Sequence, residues 1–433
     1  MSTWTTGARA VLFAKDPLDY KSNESDRKTR EGKSVIGNEI EQPKGRFALT
    51  NGRVILPQEI VIGKAVIVKG KKIVGIADAG SLGAETDKID VGGRYVTPGL
   101  MDIHTHGALD HTFNEPKEEA FAVITKENVR RGVTSLLATM AAAPIPDLVK
   151  CLELSRQWMH EPHEGSQVLG VHLEGPYFSL AQKGAQDPEN IRTPDDGTSD
   201  ILLEHHDVLK IMTYAPELPG ALELTAKLTR LGIVPAAGHS SAQDEDVLAA
   251  MKVGLRHIIH IWSGQSSTVR EGPWRKPGLL EATLVFDGLT VEMISDNKHL
   301  PPTLMRLAYK CIGADRLCII SDATSGAGMP EGTHFHMGGM EYDVHDGVGM
   351  MLDRTAFAGS TTLVNQMVPI LTDTIGIPLV EAVRMTTLTP ARVIGFDGRK
   401  GSLEAGKDAD LAVFEDDFTA WRTMIGGRWV YAA

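Results

Sequence analysis

The feature of this sequence that most restricts its fold is a series of short apolar runs that end in polar or charged residues. The runs alternate with helix-like segments between about Pro98 and Gly395, and they include VLGVHLEG, IVPAAGHSS, HIIHIWSG and LCIISDAT. This alternation is typical of repeated βα units with a parallel sheet. We therefore predict that residues 98–395 form a (β/α)8 TIM-like barrel of the α/β class. The polar residues that end the runs are then expected at the carboxyl mouth of the barrel, where barrel enzymes build their active sites.

The two ends of the chain differ from the middle, because they consist of short segments rich in β-forming residues. Residues 47–97 contain short β-rich pieces such as EIVIGKAVIVKG, and residues 396–433 contain the similar pieces DADLAVFE and TMIGGRWVYAA. Glycine-punctuated pieces of this kind are typical of a small antiparallel sheet. We predict that both ends together form one small β-sandwich domain. Residues 1–46 are polar and have no hydrophobic period, which predicts an N-terminal extension without assigned chemistry.

Composition and charge argue against several classes of protein. Hydrophobic residues make up 42% and charged residues 23% of the 433 positions, which is typical of a globular chain with a sizeable core. The three cysteines, Cys151, Cys311 and Cys318, show no C-x-x-C spacing, so neither a disulfide framework nor a thiolate zinc site is expected. A formal net charge of -12 argues against nucleic acid as a partner, although it permits a local pocket for a small anion. No stretch resembles a signal peptide or a membrane span, so a cytoplasmic protein without membrane contact is expected.

Several of the predicted strand ends carry side chains that bind metals. His104 and His106 lie two residues apart after VTPGLMDI, so both imidazoles face the same side of a strand. Glu174 ends VLGVHLEG, and His239 and His260 end two further apolar runs. Each position also has a structural interpretation: a packed or surface histidine for the imidazoles, and a helix cap for the carboxylate. Agreement among the positions favours one metal centre.

A further carboxylate, Asp322, ends the apolar run LCIISDAT. Beside a histidine-rich metal site, an aspartate can act as general base for water and then as acid for a leaving amine, whereas its structural alternative is a helix cap. His172 is expected deeper in the barrel than Glu174, behind the ligands or in the core. His257 competes with His260 for the ligand position, and the place of His260 at the end of its run favours His260.

Taken together, these motifs resemble the amidohydrolase superfamily, and within it the N-acetylglucosamine-6-phosphate deacetylase family. The similarity extends from about Gly52 to the end and is carried by PGLMDIHTHG, HLEGPY, AGHS, RKPGL, SDAT and GSLEAGKDADL. It implies a divalent ion, with zinc or iron expected, and Asp322 as the catalytic acid/base. Family members with both histidines of the H-x-H motif bind two metals, so one or two ions per subunit are expected. The ligands implied are His104, His106, Glu174, His239 and His260.

The resemblance also implies a substrate. The expected reaction removes the N-acetyl group from an amino-sugar 6-phosphate and releases acetate and the free amine. Arg275 in RKPGL and His299 in SDNKH correspond to the family's phosphate contacts, although the segment from His260 to Arg275 is longer than in the family. Gln186 and Ser263 replace a histidine and an asparagine at sugar-contacting positions. These departures favour the same reaction on a related substrate. Separately, the protein is expected to form a homo-oligomer, either a dimer or a tetramer.

Two alternatives remain open from the sequence. One is an N-acyl deacylase of the same superfamily that acts on a different N-acetylated sugar or a small amide, because the altered pocket positions are those that would distinguish it. The other is a non-catalytic barrel that serves as an interaction protein, although such proteins typically lose ligands or the acid/base. Hydantoinases and dihydroorotases are disfavoured, because they usually bridge their metals with a carboxylated lysine, whereas the corresponding motif here offers Glu174.

Overall fold

The structure of the protein, a computed structural model, describes residues 35–36, 40–161, 163–337 and 339–433. The predicted N-terminal extension therefore falls largely outside the described residues. The strands that precede the barrel are β1 (Val35–Ile36), β2 (Arg46–Thr50), β3 (Arg53–Ile55), β4 (Ile60–Val61), β5 (Lys64–Lys69), β6 (Lys72–Asp78), β7 (Asp87–Asp90) and β8 (Tyr95–Pro98).

The middle of the chain supplies both the barrel strands and several short hairpins. Its strands are β9 (Leu100–Thr105), β10 (Gly107–Ala108), β11 (His111–Thr112), β12 (Val133–Met140), β13 (Gln167–Glu174), β14 (Leu209–Tyr214), β15 (Val234–Ala237), β16 (His257–Ile258), β17 (Val269–Glu271), β18 (Trp274–Lys276), β19 (Thr290–Ile294), β20 (Leu317–Ile320), β21 (His334–Met337), β22 (Met340–His345), β23 (Val348–Met351) and β24 (Phe357–Ser360). The C-terminal strands are β25 (Leu411–Phe414), β26 (Ala420–Ile425) and β27 (Arg428–Ala432).

Helices lie between the barrel strands and after them. They are α1 (Glu118–Arg130), α2 (Ile145–His160), α3 (Thr198–Leu203), α4 (Ala221–Leu231), α5 (Asp244–Val253), α6 (Leu279–Val285), α7 (Pro302–Ile312), α8 (Val364–Pro369), α9 (Leu379–Met385) and α10 (Leu388–Val393). Helix α4 illustrates how the sequence sets them: it buries Leu224 and Leu228, one turn apart, and it ends at Gly232, whose φ of 73° gives a left-handed cap. Among the described residues, no helix has the length and apolar character needed to cross a membrane.

The barrel consists of eight parallel strands in the order β9, β12, β13, β14, β15, β16, β19 and β20. The last strand returns to the first, because the Asp322 amide donates to the His104 carbonyl at 2.9 Å and the His106 amide donates to the Ala323 carbonyl at 2.7 Å. Every residue of β9, β12 and β20 is buried, as expected for parallel strands covered on both faces. The predicted barrel fold is confirmed.

Both ends of the chain form a β-sandwich, which confirms the second part of the predicted fold class. One sheet has the strand order β1-β27-β26-β25-β8-β3-β4, and the other has the order β6-β5-β2-β7. Side chains from both sheets share one core, including Phe47, Val68, Val413 and Trp429. Ile40 is buried in the same core, so part of the segment predicted as an extension belongs to the sandwich. The domain boundaries at residues 46, 97 and 395 stay predictions.

Candidate metal centre

Six candidate side chains converge at the carboxyl ends of the barrel strands. The strands that carry them are β9, β13, β15, β16 and β20, and the residues are His104, His106, Glu174, His239, His260 and Asp322. Three of these residues follow their strands with positive φ angles, which are 45° at His239, 20° at His260 and 48° at Asp322. Positive φ is uncommon for residues other than glycine and is found at functional sites when the surrounding structure enforces it. The strand ends therefore hold these side chains in defined positions at the barrel mouth.

Glu174 is the residue on which the imidazoles converge. Its Oε1 lies 2.8 Å from His260 Nε2, 3.1 Å from His239 Nε2 and 3.7 Å from His104 Nε2. Its Oε2 lies 3.3 Å from His106 Nε2. The residue is only 2% exposed, so all of these contacts lie inside the barrel mouth.

Asp322 contacts the two histidines of the H-x-H motif, His104 and His106. Its Oδ1 is 3.4 Å from His104 Nε2 and 3.3 Å from His106 Nε2. His104, Glu174 and His260 offer one set of ligand atoms within 4.8 Å of one another, and His104, His106 and Asp322 offer a second such set. Both sets include His104, whose Nε2 can bind only one ion at a time. With His239 also at Glu174, the six residues offer donors for one ion, or for two neighbouring ions if His104 binds one of them.

The second ring nitrogen of three histidines is held by a partner outside the centre. His239 Nδ1 lies 2.8 Å from the Gln182 carbonyl, and His260 Nδ1 lies 3.2 Å from the Ser263 carbonyl. Because a carbonyl oxygen only accepts hydrogen bonds, Nδ1 carries the proton in these two rings and Nε2 offers its lone pair to the centre. His104 is held through Nδ1 as well, by a carboxylate oxygen of Glu292 at 2.8 Å.

The pKa shifts of the cluster reflect a concentrated negative field. Burial by itself would raise the pKa of Glu174, but hydrogen bonds from His106, His239 and His260 lower it well below its usual value. Burial would also raise the pKa of Asp322, and the neighbouring imidazoles His104 and His106 lower it. For His104 burial favours the neutral form, yet the carboxylates of Glu292 and Asp322 raise its pKa to about 10. A field that holds a proton this strongly also favours a divalent cation.

The donor set fits such a cation. His104 Nε2 is buried and has no hydrogen-bond partner among the described residues, although it faces the carboxylates of Glu174 and Asp322. Neutral imidazoles and carboxylates are the ligands that zinc and iron take in hydrolytic sites, whereas a calcium site is built from oxygen ligands. The described residues could therefore hold a divalent metal, and their chemistry favours a transition ion.

A cavity of about 190 Å³ opens next to this cluster. Of the predicted substrate-binding residues, Gln186, Ser263 and His299 line it, together with Phe357 from the sheet β21–β24. Gln186 donates from Nε2 to Glu174 Oε2 at 2.7 Å, so it contacts the metal centre as well as the cavity. His299 is oriented by Asp296, whose Oδ2 lies 2.7 Å from His299 Nδ1.

Arg275, the predicted phosphate contact, lies apart from this cavity. It belongs to the exposed hairpin β17–β18, and its guanidinium donates to the Pro273 carbonyl at 3.1 Å. It is not among the residues that line the cavity of the described chain. Among the described residues, Arg275 forms no ion pair with the nearby carboxylates Glu271 and Glu281: Glu271 pairs with Lys276 at 3.1 Å, and Glu281 accepts backbone amides.

Glu292 is the residue that the sequence analysis missed. It lies in β19 between His104 Nδ1 at 2.8 Å and His257 Nε2 at 3.0 Å. The only signal in the sequence was a charged residue inside the apolar run VEMIS. His172 lies behind His104, with the two rings 4.5 Å apart, and burial lowers the pKa of His172 to about 3.

Comparison with known proteins gives consistent results. The sequence profile of the Amidohydrolase family matches residues 95–430. An N-acetylglucosamine-6-phosphate deacetylase of Haemophilus influenzae is 32% identical over 386 residues, which cover 89% of this chain and 99% of the relative. An N-acetylgalactosamine-6-phosphate deacetylase of Escherichia coli O157:H7 is 32% identical over 336 residues, covering 76% of this chain and 86% of the relative. The crystal structure of N-acetylglucosamine-6-phosphate deacetylase from Pasteurella multocida superposes with a TM-score of 0.83 at 29% identity, covering 89% of this chain and 99% of that one.

Proposed function

The chain belongs to the amidohydrolase family, and from this premise we propose that it hydrolyses the N-acetyl group of an amino-sugar 6-phosphate. The observation that carries the proposal is the convergence of four imidazoles, Glu174 and Asp322 at the barrel mouth beside a small cavity. Two relatives that are each 32% identical to this chain are named as deacetylases of amino-sugar 6-phosphates. The products are acetate and the free amino-sugar phosphate.

The proposed reaction needs metal ligands and a group that transfers a proton, and different residues fill these two roles. Glu174, His239 and His260 would hold the main divalent ion, and His104 and His106 would contribute to a second. When bound, such an ion lowers the pKa of water and polarises the acetamide carbonyl. Asp322 takes the proton from the attacking water and returns it to the nitrogen, which then leaves as the amine. The imidazoles of His104 and His106 lower the pKa of Asp322 against the effect of its burial, which keeps the carboxylate ionised and able to accept that proton.

Zinc or iron is the proposed metal, one or two ions per subunit. Histidine nitrogens and carboxylate oxygens supply the donors at the centre, and borderline divalent ions prefer such a mixture over calcium's all-oxygen shells. The three cysteines are unpaired, two of them buried, which supports a reducing, cytoplasmic setting. A homo-oligomer, dimer or tetramer, remains part of the proposal.

The phosphate of the substrate is assigned to His299 and Arg275. His299 lines the cavity and donates from Nδ1 to Asp296, so Nε2 is the ring nitrogen left for a bound phosphate and would donate to it from the doubly protonated ring. Arg275 lies on an exposed hairpin, and its guanidinium would have to approach the substrate from there. A guanidinium suits this task because its planar fork can donate two hydrogen bonds to one phosphate.

Replacing Arg275 with alanine tests the phosphate assignment. We expect KM for the phosphorylated sugar to rise about tenfold or more, because a charge-assisted hydrogen bond contributes about 1.5–3 kcal/mol. KM for the unphosphorylated sugar should change little, since it never made that contact. Steady-state kinetics on both sugars gives the comparison. Arg270→Ala is the matched control, because Arg270 lies directly opposite Arg275 on the neighbouring strand of the same hairpin. Equal effects on both sugars, or faster turnover of the unphosphorylated sugar by the parent enzyme, would mean that the pocket does not recognise the phosphate group.

The second candidate function is deacylation of a different N-acetylated sugar or small amide. Two observations favour it: Gln186 and Ser263 replace the family's histidine and asparagine in the cavity wall, and Arg275 is outside that wall. Assay of acetate release over a panel of N-acetylated sugars separates the two functions. The panel should contain the glucosamine and galactosamine epimers, each with and without the 6-phosphate. Preference for a 6-phosphate supports the first proposal, and preference for an unphosphorylated amide supports the second.

A further inference from the structure

Glu292 is a carboxylate enclosed in the barrel behind the metal centre. It is 0% exposed and lies in strand β19, whose neighbouring residues Val291 and Met293 are also fully buried. Removing an ionised carboxylate from water is unfavourable unless close partners compensate for the loss of hydration. The partners of Glu292 therefore explain why a charge is tolerated at this position.

Both oxygens of Glu292 are occupied by imidazoles. Oε2 lies 2.8 Å from His104 Nδ1, and Oε1 lies 3.0 Å from His257 Nε2. His257 is fixed in turn by the Thr290 hydroxyl, 2.7 Å from its Nδ1. The result is a continuous chain of contacts from the half-buried Thr290 through the buried His257 and Glu292 to His104, whose free nitrogen Nε2 faces the centre.

This arrangement sets His104 apart from the other two oriented ligands. His239 and His260 are held through Nδ1 by the backbone carbonyls of Gln182 and Ser263. These carbonyls are neutral, whereas the oxygen that holds His104 carries negative charge. A carboxylate on the far nitrogen fixes the tautomer of an imidazole ligand and raises its basicity, which strengthens its bond to a metal.

We propose that Glu292 is a positioning residue for the metal centre: it holds His104 with Nε2 toward the ion and strengthens it as a ligand, with His257 as its support. The proposal rests on the metal-dependent centre assigned under the proposed function. It adds that the ion bound through His104 and His106 depends on the charge of Glu292. Glu292 also accepts the backbone amide of His260 at 3.4 Å, but the His260 ring is held by the Ser263 carbonyl, so the hold of His239 and His260 on their ion is expected to depend on this charge much less.

Glu292→Gln tests this dependence, because glutamine keeps the shape and an acceptor oxygen but removes the charge. The measurement is the Kd of zinc for purified metal-free protein, obtained by competition with a chromophoric chelator. His106→Ala identifies the binding step that belongs to the His104–His106 pair. For that step we expect Glu292→Gln to raise Kd about 10- to 100-fold, the usual effect of losing a partner that orients a ligand. Parent-like affinity in a folded Glu292→Gln variant would overturn the proposal.

Two controls separate positioning from general damage. Glu127→Gln removes another buried carboxylate, one on helix α1 that pairs with Arg131 at 2.8 Å and is not among the residues of the centre, and it should leave the zinc step unchanged. In a His104→Ala background, Glu292→Gln should cause no further loss of affinity, because its effect is transmitted through His104. Additive losses would show that Glu292 acts by another route and would overturn the proposal.

A spectroscopic measurement covers the case in which Glu292→Gln does not fold. In the zinc-loaded parent protein with ¹⁵N-labelled histidine, the His104 ring should carry its proton on Nδ1; the His104→Gln variant assigns the signal. A proton on Nε2 of His104 would overturn the proposal. None of these measurements uses a substrate, so failure of the deacetylase assay and failure of the Glu292 proposal remain distinguishable.

Discussion

Turnover by an Asp322→Asn variant is expected to fall at least about a hundredfold, the lower range for the loss of general acid/base catalysis. Asparagine has nearly the same shape as aspartate, but it cannot accept the proton of the attacking water. The Asp322 side chain lies 3.3 Å from His106 Nε2 and is 13% exposed, so it reaches both the centre and the cavity. Substrate binding should persist, since the cavity wall is otherwise unchanged. The content of the ion assigned to Glu174, His239 and His260 should be nearly that of the parent.

The measurement is kcat with the metal content determined on the same sample. Asp287→Asn is the matched control, because the Asp287 side chain is 97% exposed and pairs only at the surface with Arg316. The control should turn over at the parent rate. Comparable turnover by Asp322→Asn would move the acid/base role to another residue.

Removing the metal by chelation is expected to abolish activity, and zinc or another transition ion should restore it. The described partners of Glu174 and Asp322 at the centre are imidazoles and the Gln186 amide, and none of these groups replaces a metal ion as the Lewis acid that polarises the carbonyl of the substrate. Calcium should restore little, because the ligand set includes four imidazole nitrogens. Turnover is measured on the chelated protein before and after addition of each ion.

Circular dichroism of the chelated protein is the control for unfolding. We expect the barrel to persist, because its closure depends on backbone hydrogen bonds such as that from the His106 amide to the Ala323 carbonyl, rather than on an ion. Full activity in protein shown to be free of metal would contradict the mechanism.

Much of the fold was predictable because strand ends carry a strong signal. An apolar run that stops at a polar residue, as LCIISDAT does at Asp322, gives both the strand and the end that points to the barrel mouth. The same reasoning brought His104, Glu174 and His260 to one place, since parallel strands in a barrel end on the same side. The sandwich was predictable because both ends of the chain contain similar short segments rich in β-forming residues.

The residues that escaped prediction depend on contacts between distant parts of the chain. Glu292 interrupts an apolar strand, and nothing local indicates that His104, 188 positions earlier, faces it across the barrel. Gln186 was assigned to the substrate, and its contact with Glu174 could not be derived from its own segment. The location of Arg275 was equally unpredictable. It lies in the hairpin β17–β18, which is not part of the barrel sheet, and the alternation of barrel strands and helices does not determine how such an inserted hairpin is oriented.

The central claim is that this barrel hydrolyses an N-acetyl amino-sugar 6-phosphate with water activated at the cluster of His104, His106, Glu174, His239, His260 and Asp322. Its most direct test is the reaction of the zinc-loaded protein with N-acetylglucosamine 6-phosphate in ¹⁸O-labelled water, followed by mass spectrometry of the acetate. Hydrolysis of the amide bond leaves one oxygen from the acetyl group and adds one from water. We therefore expect singly labelled acetate in an amount equal to the free amine, and none from the metal-free protein. Absence of acetate, unlabelled acetate, or equal yields with and without metal would contradict it.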